Sequence, residues 1–273
     1  MIGRRSLTAC LATMAFAPPL AAQGTGPVGE RIRATGRLRF GVVAGQQPYC
    51  WKDPATAEWT GFIVDCARDL AKSLGAGIEP VESTWGNAVL DVQAGKVDIF
   101  FGLAPTAQRA LAVDFTRPLY DNAFALIARA GFDPKTWSGL DDPAVRVAVE
   151  LGSAYDQSVA TLCPKATVLR LPTNNDALLA VQAGRADCQM LVVILALSAL
   201  ARNRRLGHLV VPEPLHGSAT AAMVAKNADP AWRNTVDDWV SQRRSAGWLR
   251  ATLVANLGRI GVPEGEVPPQ LLF

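Results

Sequence analysis

The sequence predicts an α/β protein of two similar lobes, each a mainly parallel sheet flanked by helices, with two crossing segments joining them. Three observations carry that prediction. TWGNAVLDVQAGKVD at 84–98 and TNNDALLAVQAGRAD at 173–187 align without gaps at an offset of 89 residues, which points to a duplicated unit. Each copy passes from helically spaced apolar residues through a glycine into a continuous apolar run, DIFFGL or DCQMLVVI, as expected for strands covered on both faces. The 273 residues exceed one ordinary domain and supply material for two cores.

Taken in order, residues 1–22 carry Arg4 and Arg5, then LTACLATMAFAPPLAA, and read as a secretory signal peptide. Pro18 and Pro19 interrupt an apolar run already short for a membrane span. LRFGVV at 38–43 is a strand. GFIVDCARDLAKSLG at 61–75 is an amphipathic helix with Val64, Ala67, Leu70, Ala71 and Leu74 on one side and Gly75 at its end. IEPVES at 78–83 is a second strand. In the duplicated segments Thr84 and Thr173 stand where a helix cap is wanted, and Gly95 and Gly184 where a left-handed terminus is wanted.

The second lobe opens with VRVAVEL at 145–151, a helix from Tyr155 to Leu162 and the strand ATVLRL at 166–171. QMLVVILALSALA at 189–201 is too short to span a bilayer and reads as a buried strand running into a helix. DFTRPLYDNAFALIARAG and VVPEPLHGSATAAMVAK are the crossing segments, and helices near 230–245 and 246–257 pack back on the first lobe. The expected division is 28–121 with 219–260 as lobe one, 122–218 as lobe two and 261–273 as a proline-rich tail.

Hydrophobic residues at 49% and charged residues at 19% exclude a disordered chain. Without Arg4 and Arg5 the basic residues number 25 against 24 acidic, a formal charge of +1, and no basic stripe with interleaved aromatics is present. Nucleic acid is therefore not an expected partner, and Arg202, Arg204 and Arg205 read as a solvated helix end. Beyond Cys10 the cysteines are Cys50, Cys66, Cys163 and Cys188, which allow two disulfides within the lobes or four reduced core thiols. His208 and His216 are isolated and no CxxC occurs, so neither metal nor cofactor is expected.

PYCW, GFIVDCARDLA, LDVQAGKVDIFFG, TAQRALAVDFTRPLY and GRADCQM, in this order over about 38–256, resemble the family-3 extracellular solute-binding proteins that serve polar amino-acid ABC importers. The resemblance implies a two-lobed type II periplasmic-binding-protein fold, a periplasmic monomer with an ABC permease as partner, and a small ligand held between the lobes. It also implies that Arg109, three residues after Thr106, grips the ligand carboxylate, a task suited to a planar, permanently charged guanidinium. Gly102, Leu103 and Ala104 follow a buried strand and offer backbone amides, while Ser153 follows Gly152 in the equivalent turn of lobe two. Tyr49 and Trp85 supply aromatic walls.

Three positions depart from the family pattern. The stretch Cys188, Gln189, Met190, Leu191, Val192 lacks the carboxylate that pairs a ligand ammonium, Ile63 stands where the GF motif normally has an acidic residue, and the FFGLAPT loop is one residue short. Gln189 is the polar candidate left in that stretch. The expected role is capture of an amino acid or related organic acid without catalysis. The alternative is an enzyme resembling cyclohexadienyl-dehydratase relatives of the fold, with Glu150 as general acid.

Overall fold

A computed structural model describes residues 27–226, 229–267 and 273, so the predicted signal peptide and most of the tail lie outside the described residues. The first lobe begins with α1 (Val28–Thr35), β1 (Arg37–Val43) and a short hairpin of β2 (Trp51–Lys52) and β3 (Trp59–Thr60). It continues through α2 (Phe62–Ser73), β4 (Gly77–Ser83), α3 (Ala88–Gln93), β5 (Ile99–Leu103), α4 (Ala107–Ala110) and β6 (Val113–Phe115). Strand β7 (Tyr120–Ala128) crosses over. The second lobe holds β8 (Arg146–Glu150), α5 (Ala154–Leu162), β9 (Thr167–Leu171), α6 (Asn174–Gln182), β10 (Cys188–Val192), α7 (Val193–Arg202) and β11 (His208–Val210). The chain returns along β12 (Gly217–Ala225) into α8 (Pro230–Ser245) and α9 (Trp248–Arg259).

The two lobes are built alike. In the first, β4, β1 and β5 run parallel and β12 is added antiparallel to β5; in the second, β9, β8 and β10 run parallel and β7 is added antiparallel to β10. The crossing strands also pair with each other, from Ala123 opposite Gly217 to Tyr120 opposite Thr220, so one narrow ladder connects the halves. Leu38, Phe40 and Val42 of β1 and Val147 and Val149 of β8 are almost fully buried, the condition a parallel strand covered by helices has to meet.

The duplicated segments fold as duplicated units. Gly95 and Gly184 adopt φ of 65° and 68° and end α3 and α6 in the left-handed region. Asp98 accepts from Arg39 at the backbone nitrogen (2.8 Å) and at Nη2 (2.7 Å), and Asp187 accepts from Arg146 at the same two places (2.9 and 3.0 Å). Each repeat thus ends on a carboxylate bolted to the first strand of its own lobe.

One helix start differs from expectation. Thr173 caps α6 by accepting from the nitrogen of Asp176 (3.1 Å), but α3 begins only at Ala88, after Asn87. Thr84 accepts instead from the nitrogen of Asn87 (3.2 Å) in the preceding turn. That extra turn keeps Trp85 facing the second lobe.

The last helices pack on α2 of the first lobe. Trp239 Nε1 and Arg243 Nε donate to Asp69 (2.7 and 2.6 Å), and Asn256 Nδ2 donates to Asp65 (2.9 Å). The apolar run at 189–201 is β10 passing directly into α7, and among the described residues no helix is long and apolar enough to cross a membrane. All four cysteines are free and buried, so neither within-lobe disulfide forms. The tail, to which the sequence assigns no role, ends in Phe273, whose ring stacks on Tyr120 with centroids 5.4 Å apart.

Candidate functional site

The site lies where the carboxyl ends of β5 and β8 face each other. Gly102 takes φ of 86°, and a β-carbon there would stand 2.6 Å from Ile63 Cδ1, so this turn has room only for glycine against α2. Ile63, one of the departures from the family pattern, is the residue packed beneath it. Beyond Ala104, Thr106 Oγ1 accepts from the nitrogen of Arg109 (3.3 Å) and caps the single turn of α4. Thr106 therefore positions Arg109 and does not itself line the cleft.

Arg109 is 5% exposed and spans the two lobes: Nη1 donates to the carbonyl of Ala104 (3.2 Å) and Nη2 to the carbonyl of Gly152 (2.9 Å). Among the described residues it forms no ion pair with a carboxylate. Burial lowers its pKa to about 10, with Tyr155 opposing the shift, so the guanidinium stays charged at neutral pH. Across the cleft Gly152 has φ of 76° and lies against Gly86, while Ser153 caps α5 through the nitrogen of Asp156 (3.1 Å). Tyr49, Trp85, Gly102, Leu103, Ala104 and Ser153 all line the cleft beside Arg109.

The cleft includes residues that the sequence reading missed. Asn122 of β7 donates from Nδ2 to the hydroxyl of Tyr49 (2.7 Å), and its Oδ1 is buried without a partner. Tyr155, Val192, Leu195, Ser218 and Thr220 also line it. Asn122 carried a signal, as a lone amide in the apolar crossing strand YDNAFALIA. Val192 and Leu195 carried none, because an apolar residue facing a cleft and one facing a core look the same in a sequence.

Behind Trp85 the lobes meet in a polar seam. Glu150, 3% exposed, accepts from Gln46 Nε2 (3.0 and 3.2 Å) and Trp85 Nε1 (3.0 Å), and the hydroxyl of Tyr155 stands 3.0 Å from Oε2. Burial raises its pKa and these hydrogen bonds oppose the rise. Gln189 does not line the central cleft: its Nε2 donates to the carbonyl oxygen (3.1 Å) and Oδ1 (3.0 Å) of Asn174, which in turn donates to Gln46 Oε1 (3.0 Å). The reason is register, since β10 turns Gln189 toward the start of α6. The central cleft encloses about 50 Å³, enough for a few waters. Among the described residues no cluster of histidine, cysteine or carboxylate side chains could hold a metal ion.

Residues 38–256 match the family model of bacterial extracellular solute-binding proteins, family 3. The chain belongs to this family. Among curated relatives, the chain is 25% identical over 249 residues to a cyclohexadienyl dehydratase of Pseudomonas aeruginosa, covering 90% of this chain and 92% of that one. It is 26% identical over 160 residues to an ABC transporter glutamine-binding protein of Bacillus subtilis, covering 57% of this chain and 58% of that one. Among solved structures, an ancestral amino acid-binding protein described as a precursor of cyclohexadienyl dehydratase superposes with a TM-score of 0.75 at 28% identity, over 86% of this chain and all of the other. A solute receptor for L-cysteine from Neisseria gonorrhoeae superposes with a TM-score of 0.78 at 25% identity, over 90% of this chain and 99% of the other.

Proposed function

We propose that this solute-binding protein captures a small carboxylate-bearing solute by closing its lobes and delivers it to an ABC permease. The observation that carries the reading is Arg109: a buried, charged guanidinium whose hydrogen-bond partners among the described residues are two carbonyls, one on each side of the cleft. Carbonyl oxygens are weak partners for a buried cation, and a carboxylate would replace them with charge-assisted, bidentate bonds of roughly 1.5–3 kcal/mol each. Relatives named as glutamine- and arginine-binding proteins of ABC transporters support the transport role. In this reading Gly102, Leu103, Ala104 and Ser153 frame the carboxylate, and Tyr49 and Trp85 form the walls. Residues 28–121 with 219–260 move as one lobe and 122–218 as the other, bending at the ladder between β7 and β12. The monomer is the working unit.

Calorimetric titration of the purified protein with a panel of amino acids and deaminated acids tests the reading. Arg109→Ala is expected to weaken binding of any hit at least about 100-fold, the equivalent of two lost charge-assisted bonds. Full binding by that variant places the anion site elsewhere.

A second reading, a dehydratase-like enzyme, is favoured by the relative of that name matching along 90% of the chain. Under it Glu150 is the acid, and its raised pKa fits that role. Its placement fits less well, since Gln46, Trp85 and Tyr155 occupy its oxygens behind the cleft wall. Mass spectrometry of the titrated mixtures decides: product formation selects the enzyme.

A further inference from the structure

Building on the carboxylate-capture reading, we infer that the solute lacks an ammonium group and is a non-amino monocarboxylic acid with an uncharged, largely apolar body and a hydroxyl near the carboxylate.

Charge in the cleft carries the first step. Among the described residues that line it, Arg109 is the one charged side chain. A monocarboxylate brings the single negative charge that neutralises it. A zwitterionic amino acid brings none on balance, and it buries an ammonium where no carboxylate waits, an arrangement that proteins avoid because desolvation goes uncompensated.

The nearby carboxylates are already committed. Glu150 is shut behind Trp85 and Tyr155 and takes hydrogen bonds from Gln46 and Trp85 of the opposite lobe. Asp156 accepts from Arg170 Nε (2.8 Å) and from the nitrogen of Gly152 (3.0 Å). Neither lines the cleft. At the end of β10 the wall is Val192, continued by Leu195 of α7, so this stretch of the wall is apolar.

The hydroxyl follows from Asn122. Its Nδ2 is used by Tyr49, which leaves Oδ1 as a buried acceptor without a partner in a side chain that is 3% exposed and lines the cleft. A buried acceptor left unpaired is costly, and a hydroxyl donates to it without carrying a charge inside.

Isothermal titration with three acids of one skeleton tests the inference: 2-hydroxy-4-methylpentanoate, 4-methylpentanoate and leucine, repeated with phenyllactate, 3-phenylpropanoate and phenylalanine. The hydroxy acid is expected to bind at least tenfold more tightly than the amino acid in at least one set, with the deoxy acid between them. An amino acid that binds as tightly as its hydroxy partner overturns the inference while leaving carboxylate capture intact. If no compound binds, or if Arg109→Ala leaves binding unchanged, the carboxylate reading itself fails and the inference falls with it. In Asn122→Asp, which keeps the shape and adds a carboxylate, the ratio of hydroxy-acid to amino-acid affinity is expected to drop at least tenfold. An unchanged ratio in the folded variant overturns the role given to Asn122, and the wild-type series decides the inference if the variant does not fold.

Discussion

Asp187 shows how a residue at the end of a repeat holds a lobe together. Hydrogen bonds from Arg146 above all, helped by Arg129, lower its pKa from the ordinary 3.8 to about 2. A carboxyl with a depressed folded-state pKa adds stability that is complete above its unfolded value and is lost as pH falls through the folded one. The acid limb of the unfolding curve between about pH 4 and pH 2 should therefore be shallower in Asp187→Asn. Because Arg146 and Arg129 are 38% and 45% exposed and can be rehydrated, the variant should lose only about 1–2 kcal/mol at neutral pH, measured by thermal denaturation. The thiols belong to the same scale. Burial pushes Cys50 up to about 12 and Cys163 to about 11, so these thiols stay protonated. A thiol reagent is expected to find none of Cys50, Cys66, Cys163 and Cys188 in the native protein and all four after unfolding without reductant.

At the scale of elements, two segments that share eight of fifteen residues start their helices differently. In α6, Thr173 satisfies the nitrogen of Asp176 at the helix terminus itself, whereas Thr84 serves a turn that precedes α3. Thr173→Ala should destabilise the protein by about 1 kcal/mol in urea unfolding, and Thr84→Ala by clearly less. The difference has a use. Trp85 and its counterpart Asn174 sit at equivalent places in the two repeats, and both reach the seam around Glu150 from opposite lobes, the indole donating to Glu150 and the amide bonding Gln46. The two repeat starts thus meet at one seam, one aromatic and the other polar.

For the whole molecule, the proposed closure carries Glu150 from water into a site where its partners among the described residues are the neutral Gln46, Trp85 and Tyr155, and burial there raises its pKa above the ordinary 4.5. Tyr155 is the titratable group in contact with it, and the Cys50 thiol lies near enough to Glu150 and Glu82 to feel the charge of both. A carboxyl whose pKa is higher when closed takes up a proton on closing, so the closed form gains as pH falls from the raised value toward 4.5, and ionisation penalises it above that window. Small-angle scattering should show the unliganded protein more compact at pH 5 than at pH 8. Glu150→Gln, which keeps the shape without the charge, should remove that dependence. A compactness that stays pH-dependent in the variant would assign the effect to another group.

Sequence alone determined the layers and their duplication, because burial on both faces of a parallel strand and the glycine ending each repeat helix leave local patterns at 98–103 and 187–194. Tyr49, Trp85 and Ser153 drew notice beside an expected strand or helix end, and Arg109 through the family resemblance of its spacing from Thr106. What required the tertiary structure was the pairing of residues remote in the chain: Arg109 with Gly152, Glu150 with Gln46 and Trp85, Asn122 with Tyr49. Those contacts depend on the angle between two lobes, which no local spacing encodes. For the same reason Gln189, polar and correctly placed in its strand, turned out to brace Asn174, while Val192 and Leu195, silent in the sequence, set the character of the cleft.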